Sequence, residues 1–184
     1  MSLDLQPLLD GPTLRVRPLR AADWAPLYGV AADPLLWAQH PARDRYREPV
    51  FRALFEESLA CGNALAVVDR AADKVIGSSR YSFAFAEPGE VEIGWTFLAR
   101  DRWGGPANRE LKRLMLRHAF TAVDRVMFRI GETNFRSRRA MEKIGGRLTD
   151  RTHNALVGGV PVLHVIYTIE RADFLKLPLH LEAD

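Results

Sequence analysis

At 184 residues, 47% hydrophobic and 27% charged, the chain is long enough for one substantial core and short for two, so a single domain over residues 1–184 is expected. One cysteine, Cys61, excludes an internal disulfide and a cysteine-built zinc cluster. No stretch approaches the roughly 20 apolar residues of a membrane helix, and residues 1–11 hold no apolar run of signal-peptide length, so a cytoplasmic protein with no membrane partner is expected.

Residues 13–19 alternate apolar and basic side chains as a half-buried strand, with Pro18 suited to its end. Residues 21–32 place Trp24, Leu27, Tyr28 and Ala31 at helical spacing, with Asp23 near the start where a carboxylate favours the helix dipole. An irregular stretch, 33–49, carries Pro34, Pro41 and Pro49 and is the expected substrate-facing region. A second helix over 51–60 is stopped by Gly62. Residues 64–69 and 75–85 read as consecutive antiparallel strands, and Glu87-Pro88-Gly89 as the next turn.

Residues 91–98 are expected to alternate cleanly, with Val91, Ile93, Trp95 and Phe97 on one face and Glu92, Gly94 and Thr96 on the other. A helix over 107–123 buries Leu111, Leu114, Met115, Ala119 and Ala122 in one stripe and leaves Arg109, Lys112, Arg113 and Arg117 largely off it. A strand over 125–130, a capped helix over 133–144 stopped by Gly145-Gly146, and two long strands over 147–156 and 162–169 joined through Gly158-Gly159 complete the chain.

Charge is distributed unevenly along these elements. Residues 100–147 hold 13 Lys or Arg against 5 Asp or Glu, while the remaining residues hold 13 against 18. Such concentration suits a compact polyanion, either the phosphates of a coenzyme or a nucleic-acid backbone. Two helix starts lie in this segment. The turn Arg102-Trp103-Gly104-Gly105-Pro106-Ala107-Asn108 joins a strand to a helix, and its glycines let backbone N–H groups approach phosphate oxygens. Thr133-Asn134-Phe135-Arg136-Ser137 opens a short helix after an apolar strand; Asn134 suits a cap as well as a ligand contact.

On these residues the chain resembles the GCN5-related N-acetyltransferase (GNAT) family, in the branch that includes the N-terminal acetyltransferases of ribosomal proteins. The resemblance rests on residues 90–120 and 132–148, and the element order agrees from Thr13 to Ile169. The family's phosphate loop has Arg or Gln, two residues, Gly, one residue, then Gly or Ala, which Arg102, Gly105 and Ala107 fit. A second register aligns Trp103 and Gly104 and puts Pro106 where a glycine belongs. Asn134, Ser137, Glu142, Lys143 and Gly145 resemble the branch's Asn-x-x-Ser helix.

The resemblance implies an α/β fold of the α+β kind: a mixed, mostly antiparallel sheet, helices on both faces, and a fourth and fifth strand that run parallel and splay apart. It implies acetyl-CoA as acyl donor, bound by Phe97, Leu98, Arg102, Trp103, Gly104, Gly105, Ala107, Asn108, Asn134 and Ser137, and an amine acceptor, either a protein N-terminus or a small molecule. Glu92 takes the position of the catalytic Glu of some relatives, and Ser137 that of the residue near the coenzyme sulfur. No metal is expected, since His40, His118, His153 and His164 lack ligand spacing. The chain is expected to act as a monomer or homodimer. Nucleic acid is not the expected partner, because the basic segment lacks interleaved aromatic residues for stacking and any groove-reading motif. Two other functions stay open, a basic nucleic-acid-binding module and a coenzyme-binding regulator without activity.

Overall fold

The computed structural model describes residues 2–176. Met1 and residues 177–184 lie outside the described residues, so the expected 1–184 domain is seen only in part. An eight-stranded sheet runs in the order β1-β2-β3-β4-β5-β6-β8-β7. Its strands are β1 (Leu9–Asp10), β2 (Leu14–Pro18), β3 (Ala64–Asp69), β4 (Lys74–Ser82), β5 (Glu90–Leu98), β6 (Arg125–Gly131), β7 (Arg147–Val157) and β8 (Val160–Glu170). The helices are α1 (Trp24–Ala31), α2 (Glu48–Ala60), α3 (Ala107–Ala119), α4 (Phe135–Lys143) and α5 (Arg171–Phe174). All pairings are antiparallel except β5 with β6. The parallel pair is fifth and sixth because the two-residue β1, unmarked by any sequence pattern, precedes the first expected strand.

The sheet is covered on both faces, and β3 shows why its sequence is a continuous apolar run. Leu65 and Val67 point into a core with Leu111, Met115, Leu116 and Phe128, while Ala64, Ala66 and Val68 point into a second core with Leu27, Phe51 and Phe55. A strand buried on both sides has no need of polar alternation. Each fully buried Leu, Val or Phe contributes about 1.5–3 kcal/mol by leaving water. The start of β2 is tied to α3 by a buried carboxylate: Glu110 accepts hydrogen bonds from the backbone N–H of Thr13 and of Leu14, both at 2.9 Å.

Several boundaries shift from expectation. The strand expected to reach residue 85 ends at Ser82, and the helix expected to reach 123 ends at Ala119, with Phe120 and Val123 still in the core. The helix expected at 21–32 is divided into a short 3-10 turn, Ala21–Asp23, and α1. Asp23 is buried at that turn and forms a double hydrogen bond with Arg17, both at 2.7 Å. Helix α2 starts early, at Glu48, because Pro49 sits in its first turn, where a missing N–H is harmless.

The clean alternation expected along β5 fails at Trp95. The β4–β5 register shifts between Ser78 and Arg80, so β5 carries one extra residue, and Trp95 adopts φ 51°. Left-handed backbone at a residue with a Cβ is strained by roughly 1–3 kcal/mol. The bulge reverses the phase: Val91 and Ile93 join the α3 core, whereas Phe97 packs on the α1–α2 core and Leu98 returns to the first. A β-bulge re-aims side chains and bends a strand, and this one lies where β5 leaves β6.

Candidate active site

Strands β5 and β6 pair only through Glu90↔Arg125, Val91↔Val126 and Glu92↔Met127. Beyond Glu92 they part, so the β6-facing backbone of β5 from Ile93 to Leu98 has no ladder partner there. Such an edge offers donors and acceptors to a ligand that carries amides. Two adjacent cavities occupy the opening, both lined by Trp37, His40, Thr96, Asn108, Asn134, Ser137 and Ala140. The larger, about 660 Å³, runs out over the loop before α3 and along α4; the smaller, about 160 Å³, lies inward toward Trp95 and Phe128.

The larger cavity gathers nine of the ten expected coenzyme residues: Phe97, Leu98, Arg102, Trp103, Gly104, Gly105, Asn108, Asn134 and Ser137 all line it. Ala107 does not. It is 7% exposed and packs in the α3 core, because the first turn of α3 rotates its methyl toward the sheet. Gly104 has φ +73°, a conformation that favours glycine, and a Cβ there would meet open space, so conformation and not crowding explains the residue. Pro106 stands at the N-cap of α3, and its carbonyl accepts the N–H of Glu110 at 2.9 Å. The loop is anchored from below: Arg102 Nη1 pairs with Asp69 at 2.8 Å, and Trp103 Nε1 donates to the Leu98 carbonyl at 3.0 Å. Arg100 is turned away to Asp33.

Helix α4 forms the opposite wall. Asn134 caps it by accepting the Ser137 N–H at 3.3 Å and is 5% exposed, while the Ser137 hydroxyl makes no hydrogen bond to another described residue. Sequence reasoning missed four basic residues on this cavity. Arg109, Arg139 and Lys143 line it beside Arg136, whose guanidinium stacks 4.0 Å over the Trp103 ring and donates to the Leu36 carbonyl at 2.9 Å. The clue was present in the excess of basic residues over 100–147, which does not by itself say which ones converge. Asn134→Ala is expected to lose about 1 kcal/mol of stability through the cap and to weaken coenzyme binding, whereas Ser137→Ala should chiefly slow turnover. Unfolding curves, coenzyme titrations and steady-state rates separate these effects, and wild-type affinity and turnover in both variants would reduce the two residues to helix-start groups.

The chemistry-bearing groups lie on the wall of the smaller chamber or just behind it. Glu92 is 2% exposed; its Oε1 accepts from Arg129 Nε at 2.9 Å, and its Oε2 is buried without a hydrogen-bond partner. Burial raises its pKa, with Arg129 opposing. The surface ion pair that a strand Glu ordinarily forms is thus replaced by a buried one, set just behind the wall at the point where the strands part. Arg129 lines the chamber and lies 3.9 Å over the Phe85 ring.

Lys112 and Arg113, expected off the buried stripe of α3, are 3% and 2% exposed. Lys112 aims into the strand gap, donates from Nζ to Thr96 Oγ1 at 2.7 Å and lies 5.4 Å from the Phe128 ring centre. With no carboxylate paired to it, burial lowers its pKa to about 7. The irregular segment contributes Trp37, as expected, with its Nε1 donating to the Ala31 carbonyl at 2.8 Å, and also His40 and Arg45.

The other candidates fall outside. His118 Nε2 lies 2.7 Å from the Asp4 carbonyl on the surface, Tyr81 is core with its hydroxyl donating to the Met115 carbonyl at 2.8 Å, and the exposed Cys61 thiol donates to Asn63 at 2.6 Å. Among the described residues there is no group of His, Cys, Asp and Glu able to hold a metal and no helix long and apolar enough to cross a membrane.

A mixed sheet parted between two parallel strands, with a glycine-bearing helix start over the gap, is the arrangement expected from the resemblance to the acetyltransferases. The acetyltransferase (GNAT) domain matches residues 13–147, and the chain belongs to this family, as an acetyl-CoA-dependent acetyltransferase. Among solved structures it is similar to a GCN5-related N-acetyltransferase from Brucella melitensis, at 20% identity and a TM-score of 0.80, covering 96% of this chain and 83% of that one. Mycobacterium smegmatis RimJ in complex with CoA-disulfide is similar at 17% identity and a TM-score of 0.65, over 91% and 86% of the two chains. The ribosomal-protein-S5-alanine acetyltransferase of Vibrio fischeri is similar at 15% identity and a TM-score of 0.63, over 92% and 99%. Comparison with curated proteins gives no significant match.

Proposed function

We propose that the chain transfers the acetyl group of acetyl-CoA to a primary amine by direct attack. The observation that carries this is that Thr96, Asn108, Asn134 and Ser137 line both cavities, which gives a donor arm and an acceptor one meeting place. The phosphates of the coenzyme fit the basic outer end, at Arg102, Arg109, Arg136, Arg139 and Lys143, with amides of the Gly104-Gly105 turn in support. The pantetheine arm fits the open β5 edge near Phe97 and Leu98, and the thioester then reaches Ser137. An amine acceptor reaches the same point through the smaller chamber.

The amine must lose a proton before its nitrogen can attack. Glu92, with its raised pKa and partnerless Oε2, accepts that proton through water, since its side chain lies behind the wall and not on it. The nitrogen attacks the thioester carbonyl to form the C–N bond and a tetrahedral oxyanion; as this collapses the C–S bond breaks, and the proton released by the new amide nitrogen passes through the Ser137 hydroxyl, which gives one proton and regains one, to the departing thiolate. Backbone N–H groups along the unpaired β5 edge support the oxyanion.

The coenzyme reading is tested first by thermal unfolding. Acetyl-CoA at about 100 times its dissociation constant is expected to add roughly 2.7 kcal/mol by mass action, less at high salt because phosphate contacts are screened. An unchanged melting temperature with both acetyl-CoA and CoA would remove the assignment.

A further inference from the structure

The cleft is cationic at both ends, with different residues at each. Arg102, Arg109, Arg136, Arg139 and Lys143 line only the outer cavity, whereas Arg45, Arg129 and Lys112 line only the inner chamber. The inner wall carries no Asp or Glu. Behind that wall Glu92 engages the Nε of Arg129, leaving the Nη atoms of Arg129 without a hydrogen bond to another described residue, and Glu57 and Asp44 act on Arg45 only through space. The coenzyme phosphates occupy the outer end, so these inner charges need another counterpart.

The pair His40 and Arg45 points the same way. His40 Nδ1 accepts the Ala42 N–H at 2.9 Å, which assigns the ring proton of the neutral imidazole to Nε2. Yet Arg45 Nη1 lies 3.2 Å from that Nε2, and a guanidinium can only donate. Two donors therefore oppose each other with no acceptor between them. Burial and the neighbouring Arg45 lower the His40 pKa to about 3, so the ring stays neutral. Among the described residues Arg45 has no ion pair, and it lies 5.5 Å from the Trp37 ring centre. One ligand oxygen placed beside the pair, within reach of both Nε2 and Nη1, accepts from both donors; a carboxylate also matches the planar fork of a guanidinium.

We propose that the inner chamber selects a small amine that carries an anionic oxygen group, with that group held by Arg45, His40 and the Nη atoms of Arg129. The proposal rests on the acetyl-transfer reading for its chemistry. It commits to a small molecule because the chamber, which Pro41 and Arg45 of the irregular segment help to line, is only about 160 Å³. The anion offsets the repulsion that a bare ammonium meets among these cations. The same positive field lowers the ammonium pKa and so favours the neutral amine that attacks. Polyamines are excluded on the same ground, since each added ammonium meets uncompensated like charge.

The test is calorimetric titration of amines into the free protein and into its CoA complex. The arms are β-alanine and a set of α-amino acids, their amides, a short peptide with a free N-terminus, aminoethyl phosphate and spermidine. Amino carboxylates or the amino phosphate are expected to bind at least ten times more tightly than the amides, and the better of the two identifies the anion. In Arg45→Gln that ratio should fall toward one while CoA affinity is unchanged, and Arg45→Lys should restore part of it. Amides or spermidine binding as well as the anionic amines would overturn the proposal, as would an unchanged ratio in Arg45→Gln. Preference for a peptide over the free amine would also overturn it. CoA affinity, measured in the same instrument, tests the acetyl-transfer reading separately.

Discussion

Glu92→Gln is expected to lower turnover by about a hundredfold or more, with coenzyme affinity nearly unchanged, because positioned proton transfer contributes ~10² to 10⁴ in rate. The amide still presents an oxygen to Arg129 Nε, the contact Glu92 makes at 2.9 Å, so the local geometry is retained while the proton acceptor is lost. Removing one charge of a buried pair costs about 3–5 kcal/mol when the partner is left uncompensated, so rates are to be expressed per folded molecule, with CoA binding as the check on integrity. Burial lifts the Glu92 pKa, and the acidic limb of the wild-type rate profile should therefore lie above the usual carboxylate range. Turnover against pH for both proteins with one responsive amine is the measurement. Near-normal rates with the same acidic limb in Glu92→Gln would leave Glu92 as a residue that positions Arg129 and nothing more.

Lys112→Met is expected to stabilise the protein below neutrality and to remove a pH dependence. The Lys112 ammonium is buried in the strand gap without a carboxylate, and its pKa falls to about 7 from an ordinary 10.5. Below pH 7 both folded and unfolded chains hold the proton, and the fold bears the full penalty of burying the charge. Between pH 7 and 10.5 the unfolded chain binds the extra proton, so stability rises with pH across that window and the penalty is gone above it. One pKa unit corresponds to about 1.4 kcal/mol, which makes the total relief several kcal/mol in order of magnitude. Denaturant unfolding of both proteins at intervals from pH 6 to 10 should give curves that converge at the alkaline end, with the Met variant the more stable at pH 6. Parallel curves would mean that Lys112 is not buried as an ammonium.

The burial of Lys112 also marks a limit of periodicity. The helical pattern of α3 correctly assigns Leu111, Leu114, Met115 and Ala119 to the core, but it supposes that the opposite face meets water. Lys112 instead meets the gap between β5 and β6, a feature of strand divergence that no residue of α3 encodes. The phase reversal at Trp95 escaped for a related reason. Alternation along 91–98 is a local property, whereas the extra residue is defined only against its partner strand, by Ser78↔Phe97 followed by Arg80↔Gly94. The chamber's charges are more remote still: Arg45, Lys112 and Arg129 come from a loop, a helix and a strand, with no motif linking them.

What the chain determines by itself is most of its elements and the glycine-bearing turn at the outer end of the cleft. Glycine and asparagine act through their own backbone preferences, so the Gly104-Gly105 turn and the Asn134 cap are local signals that survive into the structure, and the apolar runs of β3, β5 and β6 select buried strands wherever they pair. The divergence of β5 from β6 after Glu92↔Met127, the burial of Glu92 against Arg129, and the meeting of His40 with Arg45 were decided by tertiary structure. Each depends on the relative placement of segments far apart in sequence, and a buried charge or an opposed pair of donors persists only where the packing of the whole domain outweighs its local cost.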